Sequence, residues 1–231
     1  MSIHLQGNHE LQRNNGACTH TRAPPDARTA RLQGQAQRLQ AQLLTVLDAE
    51  LWVPCAVPQH VQAFLSSIAG PPLDATLAPT SGEEYHKAVV PSGEFYVVNS
   101  VLVLVQHMQT LLAFSELPCE LHYEVGSRLA DLVKLANGRS QQLVLGAGAI
   151  ATVGLKSISA RHMAVCSQVL LLLEGLLPGL RRRALRGVVG GNATQLATVL
   201  DAVAEVRLLR SPSSMAAERS LVGRPVATCK R

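Results

Sequence analysis

Arg139-Ser140-Gln141-Gln142-Leu143-Val144-Leu145-Gly146-Ala147-Gly148-Ala149-Ile150-Ala151-Thr152-Val153-Gly154-Leu155-Lys156-Ser157-Ile158-Ser159 carries sixteen uncharged residues between Arg139 and Lys156. Most are small or aliphatic, so other parts of the chain must cover them. Two readings compete. In one, Leu143-Val144-Leu145 is a short strand, and Gly146-x-Gly148-x-x-Ala151 is the glycine-rich turn that brings a dinucleotide pyrophosphate to a helix N-terminus. In the other, the stretch is a buried helix. Gly146, Ala147, Gly148 and Ala149 then form a packing seam that lets a neighbouring helix come close, with no cofactor.

The flanks bear on the choice. Upstream, Leu121, Val125, Leu129, Leu132, Val133 and Leu135 step at helical spacing over about 120–138, with Asn137-Gly138 expected to close that helix. Before it, Phe95 to Ser115 is uncharged over twenty-one residues. Asn99, Gln106 and Thr110 share one face of it, which reads as an amphipathic buried helix, N-capped at Asn99, rather than a membrane span. Ala88–Val98 predicts a small β-hairpin turning at Ser92-Gly93. Leu32, Ala36, Leu39, Leu43, Val46 and Leu47 predict a helix over 31–51, ended by Pro54 and Pro58. A short helix follows through Val61, Phe64, Leu65 and Ile68, and 70–84 reads as a loop.

Downstream, Ser157 or Ser159 caps a helix over 160–177. Its broad apolar face includes Cys166, read as a small core residue. Pro178 predicts a kink or a break before Arg181-Arg182-Arg183-Ala184-Leu185-Arg186. Residues 187–192 read as a breaker, and 193–210 as a modest helix through Leu196, Val199, Leu200 and Val203. The dinucleotide reading draws some support from Val169 to Leu173 as a second strand ending in Glu174. It needs alternating strands and helices around it, however, and helices lie upstream.

Charge and cysteines exclude further classes. The net +5 divides into +3 over residues 1–40, −5 over 41–180 and +7 over 181–231. The hydrophobic middle is acidic and aromatics are 3% of the chain, so neither a basic folded face nor stacking rings point to nucleic acid. Cys18, Cys55, Cys119, Cys166 and Cys229 form no C-x-x-C pair, which predicts reduced thiols in the cytosol. His4, His9, His20 and Cys18 match no metal-ligand spacing. His107, His122 and His162 read as surface or boundary residues. The arginines at 181, 182, 183 and 186 read first as cations favoured at a helix C-terminus. The functional alternative is a patch for a membrane or an acidic partner.

The run Gly138 to Ala149, with Val153-Gly154-Leu155-Lys156-Ser157-Ile158 after it, resembles the family of vacuolar protein sorting-associated protein 54. Three further strings resemble it in collinear order: Leu43 to Trp52 with Val57-Pro58 after it, Gly93 to Leu102, and Arg128 to Lys134. The similarity covers about 31–186. It implies a subunit of the Golgi-associated retrograde protein complex, a helical-rod tether that is not an enzyme and carries no cofactor. It implies a cytosolic protein, peripheral at the trans-Golgi network and endosomes, that captures vesicles returning from endosomes. Implied partners are the other subunits of the tethering complex and SNARE proteins. The coiled coil through which this family assembles lies before the matched part, so the chain is expected to be a fragment or truncated form.

The expectation is a mainly all-α helical-bundle or helical-rod segment with one small β-hairpin near 88–98 and disordered ends. Residues 1–30 are a flexible arm, 31–186 the helical region and 187–231 a divergent basic tail. Loss of later helices is expected to leave apolar faces of 120–138 and 160–177 exposed, favouring self-association.

Overall fold

The computed structural model describes residues 25–70, 85–114, 121–186, 188 and 190–205. Within them are seven helices and one two-stranded antiparallel sheet. They are α1 (Pro25–Asp48), α2 (Gln59–Ala69), β1 (Ala88–Val90), β2 (Gly93–Phe95), α3 (Asn99–Ala113), α4 (His122–Val144), α5 (Gly148–Thr152), α6 (Ala160–Ala184) and α7 (Gly191–Glu205). The fold is mainly all-α, as the periodicities predict. Residues 1–24 of the expected arm and the last part of the basic tail lie outside the described residues, as does nearly all of the 70–84 loop. Residues 25–30, read as part of the arm, are helical, so the helix read over 31–51 begins and ends earlier, at Pro25 and Asp48.

α1 buries Leu32, Ala36, Leu39, Leu43 and Leu47, the stripe read from its spacing. α4 and α6 form the middle of one hydrophobic core, contributing Leu129, Leu132, Leu143, Leu172 and Leu176 as fully covered side chains. α3 is buried through Val101, Leu104, Val105, Met108, Leu111 and Leu112. α6 is long and apolar enough to cross a membrane by length and composition, yet more than half of its apolar window is covered inside the bundle.

Several cross-contacts fix how the helices run. Arg139, near the end of α4, pairs with Asp48 at the end of α1 (Nε to Oδ1, 2.6 Å). The Ser100 amide in the first turn of α3 donates to Glu50, just past α1. The Cys166 thiol, early in α6, lies 3.9 Å from the Ser140 carbonyl, late in α4, and donates to it. One end of the bundle therefore gathers the C-termini of α1 and α4 with the N-termini of α3 and α6. At the other end, Leu196 of α7 packs on Gly126 near the start of α4. There Arg181 near the end of α6 pairs with Asp201 of α7 (Nε to Oδ1, 2.8 Å).

The structure departs from expectation in places that have physical causes. α4 does not close at Asn137-Gly138 but runs on to Val144. The Asn137 side-chain oxygen accepts from Gln141 Nε2 (3.0 Å), so it does not compete for backbone. Burial of Ser140, Leu143 and Val144 then rewards the added turns. Asn99 is not the N-cap of α3. Val98 holds that place in extended backbone without a side-chain cap, and Glu50 supplies the acceptor from a distance. The hairpin turns at Pro91-Ser92, one residue earlier than read, because Gly93 already pairs with Val90. α6 passes through Pro178 without a break, although proline removes one helix hydrogen bond. The faces of α4 and α6 expected to lie bare meet α7, which buries Leu196, Leu200 and Val203.

Amide side chains tie the hairpin to the helices. Gln62 of α2 pairs with Val89 as a strand neighbour would, accepting from its N–H (3.0 Å) and donating to its carbonyl (2.5 Å). Gln168 of α6 accepts from the Tyr96 amide (2.8 Å). A three-residue pair of strands is too short to persist alone, and these contacts anchor it.

Candidate functional site

The uncharged stretch is a helix end followed by a turn. Leu143 and Val144 belong to α4, so the strand that a dinucleotide site requires is absent. Val169–Leu173 lies inside α6. The glycine-rich turn thus follows a helix, and the dinucleotide reading falls.

Nor do Gly146, Ala147, Gly148 and Ala149 lie within one long helix. The left-handed backbone position is taken by Ala147 (φ 54°), not by either glycine. The glycines answer to space. A Cβ on Gly146 would stand 2.6 Å from the Gln142 carbonyl oxygen, and one on Gly148 2.9 Å from the same atom. The close neighbour of both is the backbone of α4 itself, as the chain folds back over its own last turn. Ala149 is fully covered behind them.

A second glycine pair escaped the sequence reading: Gly175-x-x-x-Gly179 in α6. A Cβ on Gly179 would stand 2.0 Å from the Ile68 carbonyl oxygen of α2, and one on Gly175 2.3 Å from the Ser92 hydroxyl in the hairpin turn. Here small residues do admit other elements. The i, i+4 spacing was the available signal, set inside a leucine-rich helix.

The collinear strings converge at the end that gathers α1 and α4. Glu50 is buried, with Oε2 accepting from the Ser100 amide (2.7 Å) and Oε1 from the Trp52 amide (3.3 Å). A carboxylate on the first turn of α3 meets both the free N–H groups and the positive end of the helix dipole. Trp52 is covered to 1% exposure although its backbone is left-handed (φ 57°) and its indole Nε1 has no partner. Each of those features costs on the order of 1–3 kcal/mol. The ring's burial and the Glu50 contact offset them. Arg139 meets Asp48 and also donates to Gln142 (3.0 Å), linking the 138–149 string to the 43–52 string.

Of the arginines, Arg181 is held by Asp201, Arg182 is exposed and Arg183 partly covered on the last turn of α6, and Arg186 is exposed in the turn just past it. His107 is buried in α3 with Nδ1 unpartnered, deeper than its reading as a surface or boundary residue. Loss of hydration pushes its pKa below 6.5. His162 caps α6 with Ser159, each accepting from the other's backbone amide. Cys166 is a core residue as expected, its thiol pushed up to about 12 by burial. Among the described residues no group of three or more His, Cys, Asp or Glu could hold a metal ion.

Glu50, Asp48, Arg139, Gln62 and Gln168 all spend their polar atoms joining one element to another. That is the build of a helical scaffold segment. A family model described as Vps54-like protein matches residues 92–207, half of the chain and into α7, and the chain belongs to that family. It is 34% identical over 147 residues to vacuolar protein sorting-associated protein 54 of Rattus norvegicus and 35% identical over 147 residues to that of Mus musculus. Both matches cover 60% of this chain and 15% of the relative. The Homo sapiens protein is 31% identical over 143 residues, with the same coverage. The chain thus spans about 15% of the length of the curated relatives it matches. No solved structure matches it.

Proposed function

We propose that this chain is a non-enzymatic helical segment of a vesicle-tethering subunit acting in retrograde transport from endosomes to the trans-Golgi network. Its setting in this reading is the cytosolic face of those membranes, with peripheral attachment. Its partners are the other subunits of the tethering complex and SNARE proteins. The observation that carries the proposal is the family match over residues 92–207. Consistent with it, three of the strings that resemble the family meet through Arg139–Asp48 and Glu50–Ser100. The arginines ending α6 enter the reading as stabilising cations at that helix terminus, with Arg181 fastening α7.

The test is co-purification. The tagged chain, expressed in cells, is expected to recover subunits of the tethering complex and to concentrate at trans-Golgi membranes. An E50A variant, which loses the carboxylate that holds the Ser100 and Trp52 amides, is expected to fold less stably and to recover less. A folded chain that stays diffuse and recovers no subunit would contradict the proposal.

A further inference from the structure

The large exposed hydrophobic side chains of the described residues are Leu51 (54% exposed), Val53 (56%), Leu145 (45%) and Ile150 (44%). All four lie at the end of the bundle that gathers the C-termini of α1 and α4. Each pair brackets a non-glycine residue in left-handed backbone: Trp52 between Leu51 and Val53, Ala147 between Leu145 and Ile150. The buried ring of Trp52 anchors the first turn, so its neighbours project outward on a fixed base.

The charge of this end is one-sided. No acid occurs between Asp131 and Glu174, a run holding Lys134, Arg139, Lys156 and Arg161. The nearest acids, Asp48 and Glu50, are engaged with Arg139 and with backbone amides. Lys156, before α6, and Arg161, in its first turn, are exposed, and neither takes part in an ion pair among the described residues. The end therefore presents aliphatic side chains with uncompensated cations beside them.

We propose that this end of the bundle docks an amphipathic helix of a partner protein, one with an aliphatic stripe flanked by acidic residues. Aliphatic anchors meet the stripe, and Lys156 and Arg161 select the acidic flanks. An anionic membrane fits less well. Surface attachment by charge calls for a cluster of about four or more cations, and among the described residues of this end two, Lys156 and Arg161, stand outside ion pairs. Two copies of this chain would bring like charges together. The inference rests on the packing and charge of this end and is independent of membership in a tethering complex.

The test uses the full chain and two synthetic helical peptides of about 20 residues. One has leucines at i, i+3, i+4 and i+7 with glutamates on its flanks, and its twin has lysines for the glutamates. Fluorescence anisotropy at low salt is expected to show at least about tenfold tighter binding of the acidic peptide. L51S/V53S and L145S/I150S, in exposed positions and checked for fold by circular dichroism, should each weaken it by about tenfold. K156E/R161E should reverse the preference. Equal affinity for both peptides, no binding, or binding indifferent to these variants overturns the proposal. So does dimerisation of the chain, or attachment to phosphatidylserine vesicles, that the same leucine and isoleucine variants abolish.

Discussion

Two glycine pairs in this chain look alike in sequence and do different work. Gly146 and Gly148 sit where the chain folds back on α4, and the atom both make room for is the Gln142 carbonyl oxygen, four and six residues away. Gly175 and Gly179 lie on one face of α6 and make room for the hairpin turn and for α2, more than eighty residues earlier. The first pair shapes a local turn, and the second sets how three elements pack. A small residue thus signals close approach without saying what approaches. Only what stands within reach of the missing Cβ distinguishes the two cases.

The comparison is most exposed at Gly179. Gly179→Ala puts a methyl against backbone that cannot rotate away, and it is expected to cost at least about 3 kcal/mol, or to prevent folding. Urea denaturation followed by circular dichroism measures it. Gly146→Ala strains only the last turn of α4 and is expected to cost about 1–2 kcal/mol, with the hairpin unaffected. If the two costs were reversed, the roles assigned to the pairs would be reversed as well.

Gly175→Ala meets the end of one short side chain, so a loss of about 1 kcal/mol is expected. Ser92→Ala on the same chain should recover most of it, and a double-mutant cycle reports that coupling. At Ala147 the direction changes. Ala147→Gly relieves left-handed backbone just before α5 and should stabilise by up to about 1 kcal/mol. The opposite change, Gly148→Ala, should destabilise, since the added Cβ would meet an oxygen at 2.9 Å.

A pH effect of smaller size tests the packing of α3. Because burial holds the His107 pKa below its unfolded value of 6.5, the unfolded chain takes up the proton first as pH falls. Stability at His107 is therefore full above pH 6.5 and is lost below it, toward the depressed folded value. His107→Leu should flatten that part of the acid limb in urea titrations at stepped pH.

Much of the helical plan was legible because apolar residues in α1, α3, α4 and α6 recur at the helical period, and the core uses those stripes. A serine cap was legible at Ser157 or Ser159, since a hydroxyl stands just before an apolar run, and the structure uses Ser159. Asn99 misled because Glu50, forty-nine positions before it, fills the role that a local side chain would have taken. Asn137-Gly138 misled because a stop signal is overridden where the following residues are buried. The convergence of Asp48, Glu50, Ser100 and Arg139 was not legible at all. Their pairing depends on α1 and α4 ending at the same end of the bundle, which no single string specifies.

Everything rests on Leu143–Leu145 being the end of a helix. Backbone 13Cα secondary shifts across residues 122–150 test it residue by residue. Positive helical shifts continuing from His122 through Val144, and falling at Leu145–Gly146, are the predicted result. Negative, strand-like shifts at Leu143–Leu145 would contradict the bundle and the family-based function drawn from it.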